Sequence, residues 1–266
     1  MTPLKTRVLA GEMVPAAWCD FGSADVAEAM VHNGWPVQVI DGEHGIGDLE
    51  RWVGIARAIE AAGGTPILRV PEGAPALLKR VLDRGFRSII VPMVNTAEQA
   101  RQIVEACLYP GQGGARGFGA PLARAAGFGA RTDYVTEAGD ELLLILQCET
   151  VEAVENLAQI CAVPGVGMIF IGPNDLSGSM GMLGQLAAPE FHAMLARIEA
   201  TCAAAGMPLG TITGPGRGYS VLRDKGYRLA VAEADVVLLA RAAAAAAQAR
   251  DAELAGEGVA PTSFGY

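Results

Sequence analysis

Residues 142–150 read LLLILQCET, an apolar run that stops abruptly at Gln147, Cys148 and Glu149. A strand that is apolar at successive positions needs cover on both faces, the situation of a parallel strand with helices packed over it. Seven further short runs share this character, each bounded by Gly, Pro or Asp: PAAWC (15–19), VQVID (37–41), PILRV (66–70), SIIVP (88–92), MIFIG (168–172), PLGTI (208–212) and RLAVA (228–232). Helix-like segments lie between them, among them ADVAEAMVHNG, DLERWVGIARAIEAAGG, TVEAVENLAQICA and APEFHAMLARIEATCAAAG. Several end on glycine, the residue suited to the left-handed position just past a helix.

Eight alternating strand–helix units in 266 residues predict an α/β fold, a single-domain (β/α)8 barrel, for which about 250 residues is typical. A doubly wound open sheet is the alternative. It would advertise a G-x-G-x-x-G after an early strand, and GQGGARGFG (111–119) does not fit that pattern. The barrel is expected over residues 1–255, with a mobile tail at 256–266. RAAAAAAQARDAELA reads as the last helix, its alanine face suited to close packing. The stretch 109–140 has little periodicity, and a loop of that length inside a compact barrel is expected to be functional.

Composition narrows the function. A formal charge of −9 argues against a nucleic-acid partner, and no apolar run reaches the roughly 20 residues that span a bilayer. The N-terminal residues lack the h-region of a signal peptide, so a soluble cytoplasmic protein is expected. The five cysteines are odd in number and never spaced C-x-x-C, which disfavours a disulfide framework or a cysteine zinc site. Of three histidines, His32 and His192 fall in helix-like segments, so any metal should be held by oxygen.

Barrel active sites lie at the C-terminal ends of the strands, and polar residues gather there. Strand two ends in Asp41, followed by Glu43 and His44; strand three ends in Arg69; strand five delivers Gln147 and Glu149; strand six runs into Asp175. Alternation puts Gln147 and Glu149 on one face and Cys148 on the other, as a small buried hydrophobe. Each carboxylate alone has a plain reading, Glu149 in the first turn of a helix and Asp175 as a helix cap. Together, carboxylates on adjacent strand tips repel each other unless a cation joins them, and oxygen ligation suits Mg2+, Mn2+ or Co2+. Arg69 and His44 would add an anion site; the plain alternatives are a salt bridge from Arg69 to Asp41 or Glu43 and a loop hydrogen bond for His44.

IDGEHG, RVP, VLDRGFRSIIVPMVNTAEQA, ARGFG, ILQCETVEAVENL and GVGMIFIGPNDLSGSMG, in that order, resemble the metal-dependent class II pyruvate aldolases of the HpcH/HpaI family from the first strand to the last helix. The resemblance implies a divalent metal on Glu149 and Asp175. Substrate carboxylate and keto oxygen would chelate it, with backbone amides around Gly172, Asn174 and Asp175 helping to hold the carboxylate. Arg69 would contact the keto oxygen. His44 would act as acid/base through a water, oriented by Asp83 of a neighbouring subunit. Asp41 would support the histidine loop, Gln147 would stand behind the metal ligands, and Trp18 would lie near the aldehyde portion, where plain packing at the barrel end explains it equally well.

The implied reaction is reversible cleavage of a 4-hydroxy-2-oxo acid to pyruvate, or a related 2-oxo acid, and an aldehyde, through a metal-stabilised enolate. None of the three lysines ends a strand, which separates this chain from Schiff-base aldolases. The implied assembly is a homo-oligomer, a hexamer of dimers that exchange the last helix. Two departures from the family pattern, Glu233 before the aspartate after strand eight and GTITGPGRGYS after strand seven, bear on acceptor specificity. A CoA-thioester lyase of the malyl- or citryl-CoA type and a non-catalytic keto-acid-binding barrel are the competing readings.

Overall fold

A computed structural model describes residues 2–256. Eight parallel strands close into a barrel in chain order: β1 (Val14–Cys19), β2 (Val37–Asp41), β3 (Thr65–Arg69), β4 (Ser88–Val91), β5 (Leu143–Cys148), β6 (Met168–Ile171), β7 (Leu209–Ile212) and β8 (Tyr227–Ala234). Pairing of β1 with β8 removes both sheet edges and excludes the open-sheet alternative. Each run singled out in the sequence is a strand. The helices are α1 (Leu4–Leu9), α2 (Ala24–His32), α3 (Leu49–Ala61), α4 (Pro75–Asp83), α5 (Ala97–Cys107), α6 (Tyr134–Glu141), α7 (Val151–Glu155), α8 (Leu157–Cys161), α9 (Pro173–Ser179), α10 (Pro189–Ala205), α11 (Tyr219–Asp224) and α12 (Asp235–Leu254).

The apolar residues divide as the two-residue strand period requires. Leu143 and Ile145 of β5 fill the barrel interior with Val39, Ile67, Ile90, Met168, Phe170 and Leu229. Leu144, Leu146 and Cys148 face outward into the layer between strands and helices, with Leu157, Ile160, Leu195 and Ile198. Leu4 and Val8 of α1 join the interior cluster. All five cysteines are free and buried; burial pushes the Cys148 thiol up to about 12, as expected of packing rather than nucleophilic chemistry.

The stretch after α5 forms short 3-10 turns leading into α6. Because α5 runs back from the strand tips, these turns lie toward the N-terminal ends of the strands. Tyr109, Ala120, Ala125, Ala126 and Tyr134 make a small core of their own there, and Phe118, Leu122 and Phe128 are exposed. Helix α12 contributes one buried residue, Asp235, and leaves Val237 and Leu239 exposed. Among the described residues no helix is long and apolar enough to cross a membrane. Of the expected tail, residues 257–266 lie outside the described residues.

Candidate active site

At the C-terminal ends of the strands a cavity of about 340 Å3 is lined by Trp18, His44, Arg69, Gln147, Glu149, Phe170, Gly172, Pro173, Asn174, Asp175 and Ile212. Three grooves of larger volume, about 690, 480 and 350 Å3, include Lys5, Leu4 and Val8 of α1 in their walls and collect none of these residues. The smaller cavity is the one onto which polar side chains from several strands converge.

The depth of each side chain follows from its place on a strand. Gln147 is the inward-facing residue of the last β5 pair and is buried. Glu149, one residue beyond the strand, is only 2% exposed. It is not consumed as a helix cap, because the Thr150 Oγ1 accepts the Ala153 N–H at 3.0 Å and fills that role. Glu149 Oε1 instead accepts the Met93 N–H at 2.7 Å, and its Oε2 accepts from the Gln147 amide. Met93 reaches it from a left-handed backbone with φ 57°, costly for a non-glycine residue and concentrated at functional sites. Burial pushes the Glu149 carboxyl above its usual range, with Asp175 and Glu43 adding to the effect, against the hydrogen bonds from Met93 and Gln147.

Gly172 is required by close approach. A Cβ there would meet Glu149 Oε2 at 2.4 Å and Glu149 Cβ at 3.0 Å. It is the N-cap of α9, a position with no side-chain cap hydrogen bond, and Asp175 lies in the first turn of that helix. Gln147 Oε1 is buried with no hydrogen-bond partner among the described residues, an acceptor left open beside Glu149. Among the described residues no group of three or more His, Cys, Asp or Glu side chains is arranged to hold a metal ion. The cavity therefore offers two carboxylates, Glu149 and Asp175.

On the opposite wall, register places Asp41 beside Arg69. The guanidinium forks onto Asp41, Nε to Oδ1 at 2.9 Å and Nη2 to Oδ2 at 2.6 Å, and Nη1 lies 3.0 Å from Glu43 Oε2. Both plain salt bridges considered for Arg69 thus form, and the same side chain still lines the cavity. Its Cζ lies 4.5 Å from the Trp18 ring centroid, a cation–π contact, and Trp18 meets Phe170 edge-on at 6.3 Å. Asp41 Oδ1 also accepts the backbone N–H groups of Glu43 and His44, at 3.0 and 3.2 Å. The imidazole stands at the rim, 69% exposed, with Nε2 3.8 Å from Glu43 Oε2.

Asp83 is not brought to this cavity within the chain. It ends α4 and pairs with Arg116 Nη2 at 2.6 Å. Sequence reasoning passed over several contributors. Phe170 and Ile212 could have been found from strand alternation, and Asp20, at the tip of β1, from its likeness to Asp41. Nothing in VPMVN marks Met93 as a left-handed residue.

A model of the HpcH/HpaI aldolase/citrate lyase family matches residues 16–251. A hydroxypyruvate/pyruvate aldolase of Cupriavidus necator is 40% identical over 241 residues, 91% of this chain and 89% of that protein. A 2-keto-3-deoxy-L-rhamnonate aldolase of Klebsiella pneumoniae is 39% identical over 208 residues, 78% of each chain. The crystal structure of an HpcH/HpaI aldolase/citrate lyase family protein from Burkholderia cenocepacia superposes with a TM-score of 0.86 at 36% identity, covering 92% of this chain and 97% of that one. With the motifs of the strand tips in one cavity and the match running nearly end to end, the chain belongs to the HpcH/HpaI aldolase/citrate lyase family, as a lyase of the class II pyruvate aldolase type.

Proposed function

We propose that this protein is a divalent-metal-dependent aldolase that reversibly cleaves a 4-hydroxy-2-oxo acid to pyruvate, or a closely related 2-oxo acid, and an aldehyde. The observation that carries the reading is the single cavity in which two carboxylates, Glu149 and Asp175, face Arg69 and His44. Relatives named for hydroxypyruvate/pyruvate and for a 2-keto-3-deoxy acid support the same substrate class.

The donor set fits a hard divalent cation such as Mg2+, Mn2+ or Co2+. Glu149 and Asp175 would hold it, Gln147 lines the same cavity, and Gly172 keeps the approach to Glu149 clear. With only two protein carboxylates, positions remain for water and substrate. When bound, the cation polarises the substrate carbonyl.

The chain's own residues supply the rest. Arg69, held flat by its fork onto Asp41, presents a permanent positive charge to the keto oxygen, where negative charge develops on cleavage. His44, exposed at the rim, takes the proton from the substrate's 4-hydroxyl as the carbon–carbon bond breaks and returns it in the synthetic direction. Backbone amides around Gly172, Asn174 and Asp175 receive the substrate carboxylate at the start of α9. Trp18, Phe170 and Ile212 wall the remainder of the cavity with apolar surface for the aldehyde portion.

Assembly follows from what one chain leaves bare. Exposed Val237 and Leu239 on α12, and Phe118, Leu122 and Phe128 beyond α5, suit burial in a homo-oligomer in which α12 is exchanged. In it, Asp83 of the partner subunit would orient His44; a hexamer satisfies this arrangement.

The test is proton exchange. Pyruvate in D2O should lose its methyl protons by NMR with Mg2+ or Mn2+ present and keep them with chelator. Glu149→Ala should reduce the metal-dependent rate at least about 100-fold. Folded wild-type protein inactive across several metals would remove the aldolase reading, and an unaffected Glu149→Ala would remove the ligand role.

A further inference from the structure

Three carboxylates crowd beside Arg69: Asp41, Asp20 and Glu43, whose Oε2 lies 3.0 Å from Arg69 Nη1. Asp41 is saturated with donors, taking two guanidinium N–H groups from Arg69 and the backbone N–H groups of Glu43 and His44. Asp20 directly follows the last register pair of β1 with β2, Cys19 with Ile40, and so stands beside Asp41 at the strand tips. Its backbone is pinned on both sides, the N–H donating to Asp235 Oδ1 at 2.9 Å and the carbonyl accepting from the Ile46 N–H at 3.0 Å. The next turn is equally tight, because a Cβ on Gly22 would meet the Ile46 carbonyl oxygen at 2.3 Å. Asp235, buried at the start of α12, spends its own oxygens on the N–H groups of Asp20, Phe21 and Val236.

Two carboxylates in contact do not both ionise readily without a cation between them. Here the fork of the guanidinium and two backbone donors belong to Asp41, and the remaining guanidinium nitrogen, Nη1, is taken by Glu43, which leaves the proton to Asp20. The electrostatics agree. Burial opposes ionisation of Asp41, but the hydrogen bonds and charge of Arg69, with those of the two backbone donors, hold it below the usual carboxylate range. Burial, then Asp41 and Asp235, push Asp20 up to about 7 against the pull of Arg69. Glu43, which pairs with Arg69 and lies 3.8 Å from His44 Nε2, has its carboxyl pushed up by burial against the pull of Arg69, and burial keeps the Cys19 thiol protonated.

We propose that Asp20 and Asp41 form a carboxylic acid–carboxylate pair sharing one proton, and that Asp20 is a positioning residue that sets, through Asp41, how much of the Arg69 charge is left for the substrate oxygen. With the proton in place, the pair presents a single negative charge to Arg69, beside that guanidinium's separate contact with Glu43. When that proton is lost to water, two carboxylates compete for the guanidinium and weaken its field in the cavity. This consequence for catalysis rests on the aldolase reading; the shared proton does not.

Two measurements test the pair. In full-length protein labelled with [γ-13C]aspartate, one carboxyl should titrate near neutral pH and be missing from the Asp20→Asn spectrum. No aspartate titrating above about pH 6 in the wild type, or the same resonance persisting in Asp20→Asn, overturns the pair. Should Asp20→Asn fail to fold, Asp41→Asn serves instead, since removing the neighbouring charge should bring the titration of Asp20 below about pH 6, and an unmoved titration overturns the proposal. The second readout is pyruvate exchange at saturating pyruvate. The wild-type rate should fall about tenfold from pH 6 to 8.5 while Asp20→Asn, an amide that still donates to Asp41, stays flat. A uniform loss that keeps the limb would mark Asp20 as merely structural. Wild-type protein that exchanges no pyruvate at any pH would overturn the aldolase reading, and the carboxyl titration would still decide the pair.

Discussion

Glu149 is held in one position from three directions. Met93 donates to one oxygen, Gln147 to the other, and Gly172 presents bare backbone where any side chain would collide. Residue-scale chemistry here depends on what is missing as much as on what is present. Gly172→Ala would place a methyl 2.4 Å from Glu149 Oε2, and the carboxylate cannot retreat without abandoning Met93. We expect Mn2+ binding by calorimetry to weaken about 10–100-fold, as when the support of a metal ligand is lost, with the thermal midpoint nearly unchanged. Wild-type affinity in that variant would count against Glu149 as a ligand.

At the scale of elements, the strands were legible because burial on both faces leaves a composition that loops and surface helices do not share. MIFIG and SIIVP announce themselves without neighbours, and the alternation that separates Gln147 from Cys148 holds in the structure. The strand tips were legible for the same reason, since a charge ending such a run stands out. What escaped the sequence is what closure brings together. Asp20 and Asp235 are 215 residues apart in the chain and 2.9 Å apart in space, because β1 pairs with β8. The stretch after α5 was legible only as unusual. Its organising residue is Arg116, whose side chain is 2% exposed, with Cζ 4.5 Å from the Tyr109 ring centroid and an ion pair to Asp83. Arg116→Ala would leave Asp83 unpaired and a void between two rings. Because Asp83 keeps some contact with solvent, we expect a loss of about 2–4 kcal/mol in urea unfolding, toward the lower end of a broken buried pair. A loss below about 0.5 kcal/mol would show that this loop does not depend on the pair.

For the whole molecule, α12 is the element that a single chain explains least. It runs for 20 residues with only Asp235 buried, more apolar surface than a monomer has reason to expose. If α12 is exchanged as proposed, replacing Val237 and Leu239 together by Glu should split the proposed assembly, and light scattering after size exclusion should show a smaller species than the wild type. A wild type that already runs as one 27.5 kDa chain would dispose of the exchange.

The cavity is graded in depth. Glu149 at its floor is 2% exposed, while the His44 side chain at its mouth is 69% exposed. Under the proposed chemistry the 2-oxo acid end of the substrate lies at the floor and the hydroxyl end at the mouth. Depth then becomes sequence in time: on cleavage the aldehyde departs first, past His44, and the 2-oxo acid can leave only afterwards. In synthesis the order reverses, so the enzyme would have to be loaded with its donor before an acceptor could be used.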